Sequence, residues 1–170
     1  MTRTATTIVA AAAGLAACLT TLPALASGKD EAAIRALEAR FAAAFNAKDL
    51  DAIMKVYVPD DSLLVFDVVP PRQYAGANAY RKDWQELLGL FPGPLKFEIN
   101  DLHVVASGSL GYAHSIQHLS GADAKGQTID LTVRVTDVYR KIKGHWLVVH
   151  EHVSVPVDLA TGKPDLASKP

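Results

Sequence analysis

Two aspartates sit where apolar residues would be expected. If residues 127–141 are extended, Ile129, Leu131, Val133, Val135, Asp137 and Tyr139 share one face, and Thr128, Asp130, Thr132, Arg134 and Thr136 share the other. Asp137 is then a carboxylate on an otherwise apolar face. Asp67 has the same setting beside Leu63, Val65 and Val69. A desolvated carboxyl holds its proton more tightly, which suits it to acid–base work near neutral pH. The structural alternative puts each aspartate at a strand end, wet or paired with Arg72, Arg134 or Arg140.

Histidines are the second signal. His114 and His118 alternate onto one face with Tyr112 and Ile116, and the same alternation puts His150 and His152 with Trp146 and Val148. Imidazole titrates near neutrality and serves proton transfer. A His-x-His pair on a strand also suits a transition metal, but hydrogen bonding within the sheet or lining a pocket suits it better, and neither metal nor cofactor is expected. The planar fork of Arg134 would suit an anionic ligand, or simply solvent. Tyr57 and Tyr74 offer hydroxyls to a pocket, and Trp84 offers a flat apolar surface, although both residue types are common in cores. The candidates for catalysis are therefore Asp67, His114, Asp137 and His150. Those for ligand binding are Tyr57, Tyr74, Trp84, His118, Arg134 and His152.

Other chemistries leave no trace. There is no Gly-x-Ser-x-Gly elbow, no phosphate-cradling glycine loop and no Cys-x-x-Cys. The 170 residues carry 17 Lys+Arg against 18 Asp+Glu, a net charge of −1. That balance argues against nucleic acid, where a basic footprint is expected.

The first 26 residues read as an address. Arg3 is their only charge, residues 5–17 form a short apolar run, and Ala24-Leu25-Ala26 is a small-residue cleavage site before Ser27. Export to a bacterial periplasm or beyond is expected. A second reading stands beside it: Leu15-Ala16-Ala17-Cys18 has the form of a lipobox, with Cys18 as a lipid anchor. Cys18 is the only cysteine, so the domain has no disulfide under either reading. Beyond the leader no run approaches the roughly 20 apolar residues of a membrane span.

The domain expected over residues 27–156 starts with a helix at 29–46, capped by Asp30, with Ile34, Leu37, Phe41 and Phe45 on one face. Asp49 caps a short second helix. Strands follow at 62–69 and 72–75, then a third helix at 76–90 with Tyr80, Trp84, Leu87, Leu88 and Phe91 inward. After Phe91-Pro92-Gly93-Pro94 the period changes to two, giving long strands at 95–106, 110–119, 127–141 and 145–155 with short links. Residues 157–170 read as a surface tail. The order predicts an α+β domain: a curved, mainly antiparallel sheet packed on three N-terminal helices, its cone enclosing a small-molecule pocket.

Three segments carry a resemblance. Residues 32–57 with Phe45-Asn46-Ala47-Lys48-Asp49-Leu50-Asp51, the hairpin of Phe66-Asp67 and Tyr74-Ala75-Gly76, and the closing strands from Arg134 to Lys141 and Gly144 to Ser154 are similar to the nuclear transport factor 2-like superfamily. Within it they resemble SnoaL-like and ketosteroid-isomerase-like proteins and the association domain of calcium/calmodulin-dependent kinases. The resemblance implies a cone-shaped barrel of the cystatin-like type, a small apolar or carbonyl-bearing ligand, cofactor-free isomerase, dehydratase or cyclase chemistry, and a homodimer. Its rival implication is a non-catalytic ligand-binding or dimeric assembly domain. The isomerase's tyrosine and aspartate motif has no clear counterpart here, so no catalytic residue is carried over.

Overall fold

The computed structural model describes residues 24–167. The expected leader, with Cys18, lies outside them except for Ala24–Ala26, whose backbone opens the first helix. That helix, α1, runs Ala24–Asn46 and so starts earlier than the sequence suggests. The helix runs through Gly28 without a break, and Asp30 is one turn and more inside it instead of capping it. Its carboxylate instead accepts from Lys141 Nζ at 2.6 Å and Trp146 Nε1 at 3.1 Å, tying α1 to the far end of the sheet.

Helix α2, Leu50–Met54, is capped by Asp49, whose side chain accepts from the Ala52 amide at 2.9 Å. Lys48 takes a positive φ of 55° at the turn between the helices. Its ammonium donates to the carbonyls of Phe91 and Gly93, which fixes the exit of α3 (Ala77–Gly89). Strands β1 (Leu64–Phe66) and β2 (Tyr74–Ala75) are short. The four long strands are β3 (Leu95–Ser107), β4 (Leu110–Ala122), β5 (Thr128–Ile142) and β6 (His145–Ser154).

The sheet order is β2-β1-β6-β5-β4-β3. All neighbours are antiparallel except β1 and β6, so the sheet is mixed, and it is open instead of closing into a barrel. The expected surface tail is pinned as far as it is described: Val157 bridges Pro164, and the Thr132 amide donates to Leu166 O at 2.8 Å.

One face of the sheet carries the helices. Phe41 and Phe45 from α1 pack on Trp84 of α3 at centroid distances of 5.6 and 4.9 Å, and on Phe97 of β3 at 5.6 and 4.4 Å. These aromatic contacts close one end of the interior. Asn46 clamps the helix to the edge strand, donating to Phe97 O at 2.9 Å and accepting from Phe97 N at 2.8 Å.

A close approach on this face requires glycine at position 111. A Cβ there would lie 2.9 Å from Ile34 Cδ1 and 3.0 Å from Val105 O. Gly111→Val is expected to destabilise the fold by about 1–3 kcal/mol through overpacking, read as a lower midpoint in urea or heat denaturation.

Candidate functional site

Strand β6 does not alternate strictly. Val138 of β5 pairs with His150, but its neighbour Tyr139 pairs with Val148, leaving Val149 as an extra residue. This β-bulge reverses the parity of everything beyond it. Trp146 and Val148 face the helices before the bulge, and Glu151 faces them after it. His150 and His152 therefore lie on the opposite face from Trp146 and Val148, which corrects the alternation expected from sequence.

Glu151 is the centre of the site. It is buried, stands directly opposite Asp137 on β5, and lines a cavity of about 660 Å³ between the sheet and the helices. Two tyrosines aim at it. Tyr57, after α2, donates to Oε2 at 2.9 Å, and Tyr80 of α3 donates to Oε1 at 2.5 Å. Burial pushes the Glu151 carboxyl up to about 7, against the stabilising hydrogen bonds from the two tyrosines. Burial likewise pushes both phenols well above their ordinary value, so they are donors at neutral pH.

A second carboxyl belongs to the same group. The Tyr80 hydroxyl lies 3.3 Å from Asp67 Oδ2, at the start of the loop after β1. Burial, followed by the charge of nearby Asp83, raises Asp67. Asp83 itself accepts from the Tyr74 hydroxyl at 2.6 Å. Deeper in, Tyr139 donates to Glu38 of α1 at 2.7 Å, and burial raises Glu38. Apart from Gln117, Lys82 and Glu86, most of the rest of the wall is apolar, including Phe41, Phe45, Trp84, Leu119, Val133 and Val153.

The structure divides the sequence-derived candidates into two groups. Asp67, Tyr74 and Trp84 line the cavity, Tyr57 reaches Glu151 from beneath, and Asp137 is buried beside Glu151 without lining the cavity. His114, His118, Arg134, His150 and His152 are on the outer face of the sheet, away from it. There His114 stacks on His103 at 5.0 Å, and His118 pairs with Asp130 at 2.8 Å. His150 Nδ1 meets Leu64 O at 2.8 Å. Phe66 lies edge-on to His150 and His152 at 5.0 and 5.8 Å.

Glu151, Tyr80, Glu38 and Tyr139 were not among the candidates. Two of them left a signal. Glu38 falls inside the helical stripe of Ile34, Leu37 and Phe41, and Tyr139 shares the face of Asp137. Tyr80 read as ordinary core, and Glu151 was hidden by the bulge. Among the described residues, no group of three His, Cys, Asp or Glu side chains is disposed to hold a metal ion, and no helix is long and apolar enough to cross a membrane.

Comparison with known proteins matches residues 34–158 to the model of the SnoaL-like domain. A nuclear transport factor 2-like protein of unknown function from Pseudomonas putida KT2440 is 34% identical, with a TM-score of 0.76 over 85% of this chain and 99% of that one. A putative dehydratase of the same broad family from Streptomyces avermitilis (15% identity, TM-score 0.65, 75% and 96% covered) shares the fold. So does a ketosteroid isomerase-like protein from Erwinia carotovora atroseptica (19%, 0.63, 74% and 95%). No curated protein matches.

The carboxyl chemistry fixes a pH dependence. With Glu151 near 7 when folded and an ordinary value of 4.5, the native state binds the extra proton between those limits. Its stabilising contribution is complete below about 4.5 and is lost as pH rises through 7. Asp67 and Glu38 act in the same direction. The melting temperature is expected to fall between about pH 5 and pH 8, and Glu151→Gln to flatten that fall. Calorimetry across the range checks both.

Proposed function

We propose that this chain, which belongs to the SnoaL-like domain family, is a cofactor-free proton-transfer enzyme acting on a small, uncharged, largely apolar ligand with a carbonyl group. The observation that carries this reading is Glu151: a buried carboxyl on the cavity wall, held by two tyrosine hydroxyls and poised near neutrality. A base with that value takes a proton at neutral pH and returns one with little driving force lost. Glu151 removes a proton from the carbon beside the carbonyl. Asp67, protonated at the outset, delivers its proton at a neighbouring position. The proton taken up by Glu151 passes through the Tyr80 hydroxyl between them to Asp67, restoring the starting state. The names of the dehydratase and isomerase-like neighbours are compatible with such chemistry, and their low identity assigns none of it.

The lining supports an uncharged ligand. Asp67, Asp83, Glu86 and Glu151 contribute to the wall, and Lys82, on the exposed side of α3, is its only cation. Carboxylates and phosphates would meet like charge there. A cavity of about 660 Å³ falls within the usual range for small-molecule sites.

A second reading is a ligand-binding or assembly domain without catalysis. The pairing of Tyr57 and Tyr80 with Glu151 favours it, because satisfied groups need no substrate. So do Leu110 and Tyr112, half-exposed at 54% and 46% on strand β4; self-association through the outer face would cover Tyr112, and sedimentation velocity reads it directly. Against it, the buried Nε1 of Trp84, a residue of the cavity wall, has no hydrogen-bond partner among the described residues. The protein's setting, in this proposal, is outside the cytoplasm, on the strength of the leader. The N-terminus of the processed protein, read by mass spectrometry, is expected at Ser27, and a lipidated Cys18 would move it to the membrane surface.

One experiment separates enzyme from binder. Apolar ketones and their carboxylate analogues are screened by thermal shift, and exchange of the ketone's α-hydrogens with deuterated solvent is followed by NMR. Ketones are expected to stabilise the protein and the carboxylates not. Glu151→Gln is expected to keep the shift and slow the exchange at least about a hundredfold. Binding without exchange, or exchange indifferent to the substitution, supports the second reading.

A further inference from the structure

The interior buries Glu38, Asp137 and Glu151 together, and among the described residues no lysine, arginine or histidine forms an ion pair with any of them. Isolated buried charge is costly, so such a group holds on to protons. The pairing of β5 with β6 sets Asp137 directly opposite Glu151, both of them buried. Two carboxyls facing each other in the interior with no cation beside them repel when both are charged, so one of them keeps its proton.

Geometry says which. Both oxygens of Glu151 already accept hydrogen bonds, from Tyr57 and Tyr80, which favours the charged form there. Asp137 Oδ1 is buried with no partner among the described residues. An ionised oxygen in that position would bear the full desolvation penalty, whereas the carbonyl oxygen of a neutral acid bears much less. We propose that Asp137 keeps its proton through neutral pH and donates it to Glu151, so that the pair presents a single negative charge to the cavity, on Glu151.

Asp137 is then a positioning residue. It does not line the cavity, yet it supplies the third hydrogen bond that aims and steadies the Glu151 carboxylate. The other titratable groups facing the pair are Glu38 from α1, Tyr57 after α2, Asp67 after β1, Tyr80 from α3 and Tyr139 from β5. All are acids, and none brings positive charge. Burial, followed by the neighbouring Glu151 and Glu38, pushes Asp137 in the same direction as the geometry. The catalytic meaning of this arrangement rests on the proposed role of Glu151, but the protonation pattern does not.

The test is a carbon-13 NMR titration of protein labelled at its Asp and Glu carboxyl carbons. In the unmodified chain the Asp137 carbon is expected to keep its neutral-acid shift at about pH 8, where Glu151 has ionised. Asp137→Asn is expected to remove that signal and leave one Glu151 step. Glu151→Gln removes the neighbouring charge and is expected to lower the Asp137 midpoint by more than about one pH unit. An Asp137 ionised at neutral pH, or one unmoved by Glu151→Gln, overturns the proposal. Should Asp137→Asn not fold, the other two titrations decide alone. No turnover enters this measurement: a protein inert toward every ketone would sink the proposed function and leave the proton assignment standing, and the converse also holds.

Discussion

The pairing of β5 with β6 is the constraint on which the interior depends. One extra residue, Val149, sits in β6 between Val148 and His150. Without it, strict alternation would turn Glu151 to the outer face and His150 and His152 toward the helices. With it, a carboxyl faces another carboxyl across two neighbouring strands, beneath three helices, in the place where the sheet would otherwise continue Val133 and Val135. A bulge also adds local twist, which suits a sheet that must curve around its helices.

Once Glu151 faces inward, several other choices follow physically. A buried carboxyl must find donors, and two of the most buried side chains, Tyr57 and Tyr80, are tyrosines whose hydroxyls reach it. Glu38, facing inward from α1, has the same need, met by Tyr139. The aromatic group of Phe41, Phe45, Trp84 and Phe97 is apolar filling around this polar seam. Burial of three acids (Glu38, Asp137 and Glu151) and four phenols, with no ion pair to the acids among the described residues, leaves the interior short of stabilising charge pairs. The fold offsets this through apolar burial and through ties elsewhere, such as Asp30 to Lys141 and Asn46 to Phe97.

The outer face tells the opposite story. Five of the six histidines (103, 114, 118, 150 and 152) lie there, among threonines and arginines, with no helix above them. Their spacing looked like chemistry because a strand writes the same alternating pattern whichever side holds the cavity. Periodicity sorts residues into two faces and is silent on which face is covered. Asp137 and Tyr139 were sorted correctly because their companions were Val133 and Val135. The histidines had Tyr112, Ile116 and Trp146 as companions, apolar enough to suggest an interior.

By itself, then, the sequence determined the order of helices and strands, the α+β class, the inward stripe of α1 and the placement of Asp137 on the apolar side of β5. Those follow from local period, capping and turn residues, which act over a few positions. Only the tertiary structure decided that Glu151 is the central carboxyl, that Asp67 meets it through Tyr80, and that the histidines stand outside. A bulge adds a single residue with no composition of its own, and a hydrogen bond between positions 80 and 151 depends on how a helix lies across a sheet. Neither leaves a repeat or a motif along the chain.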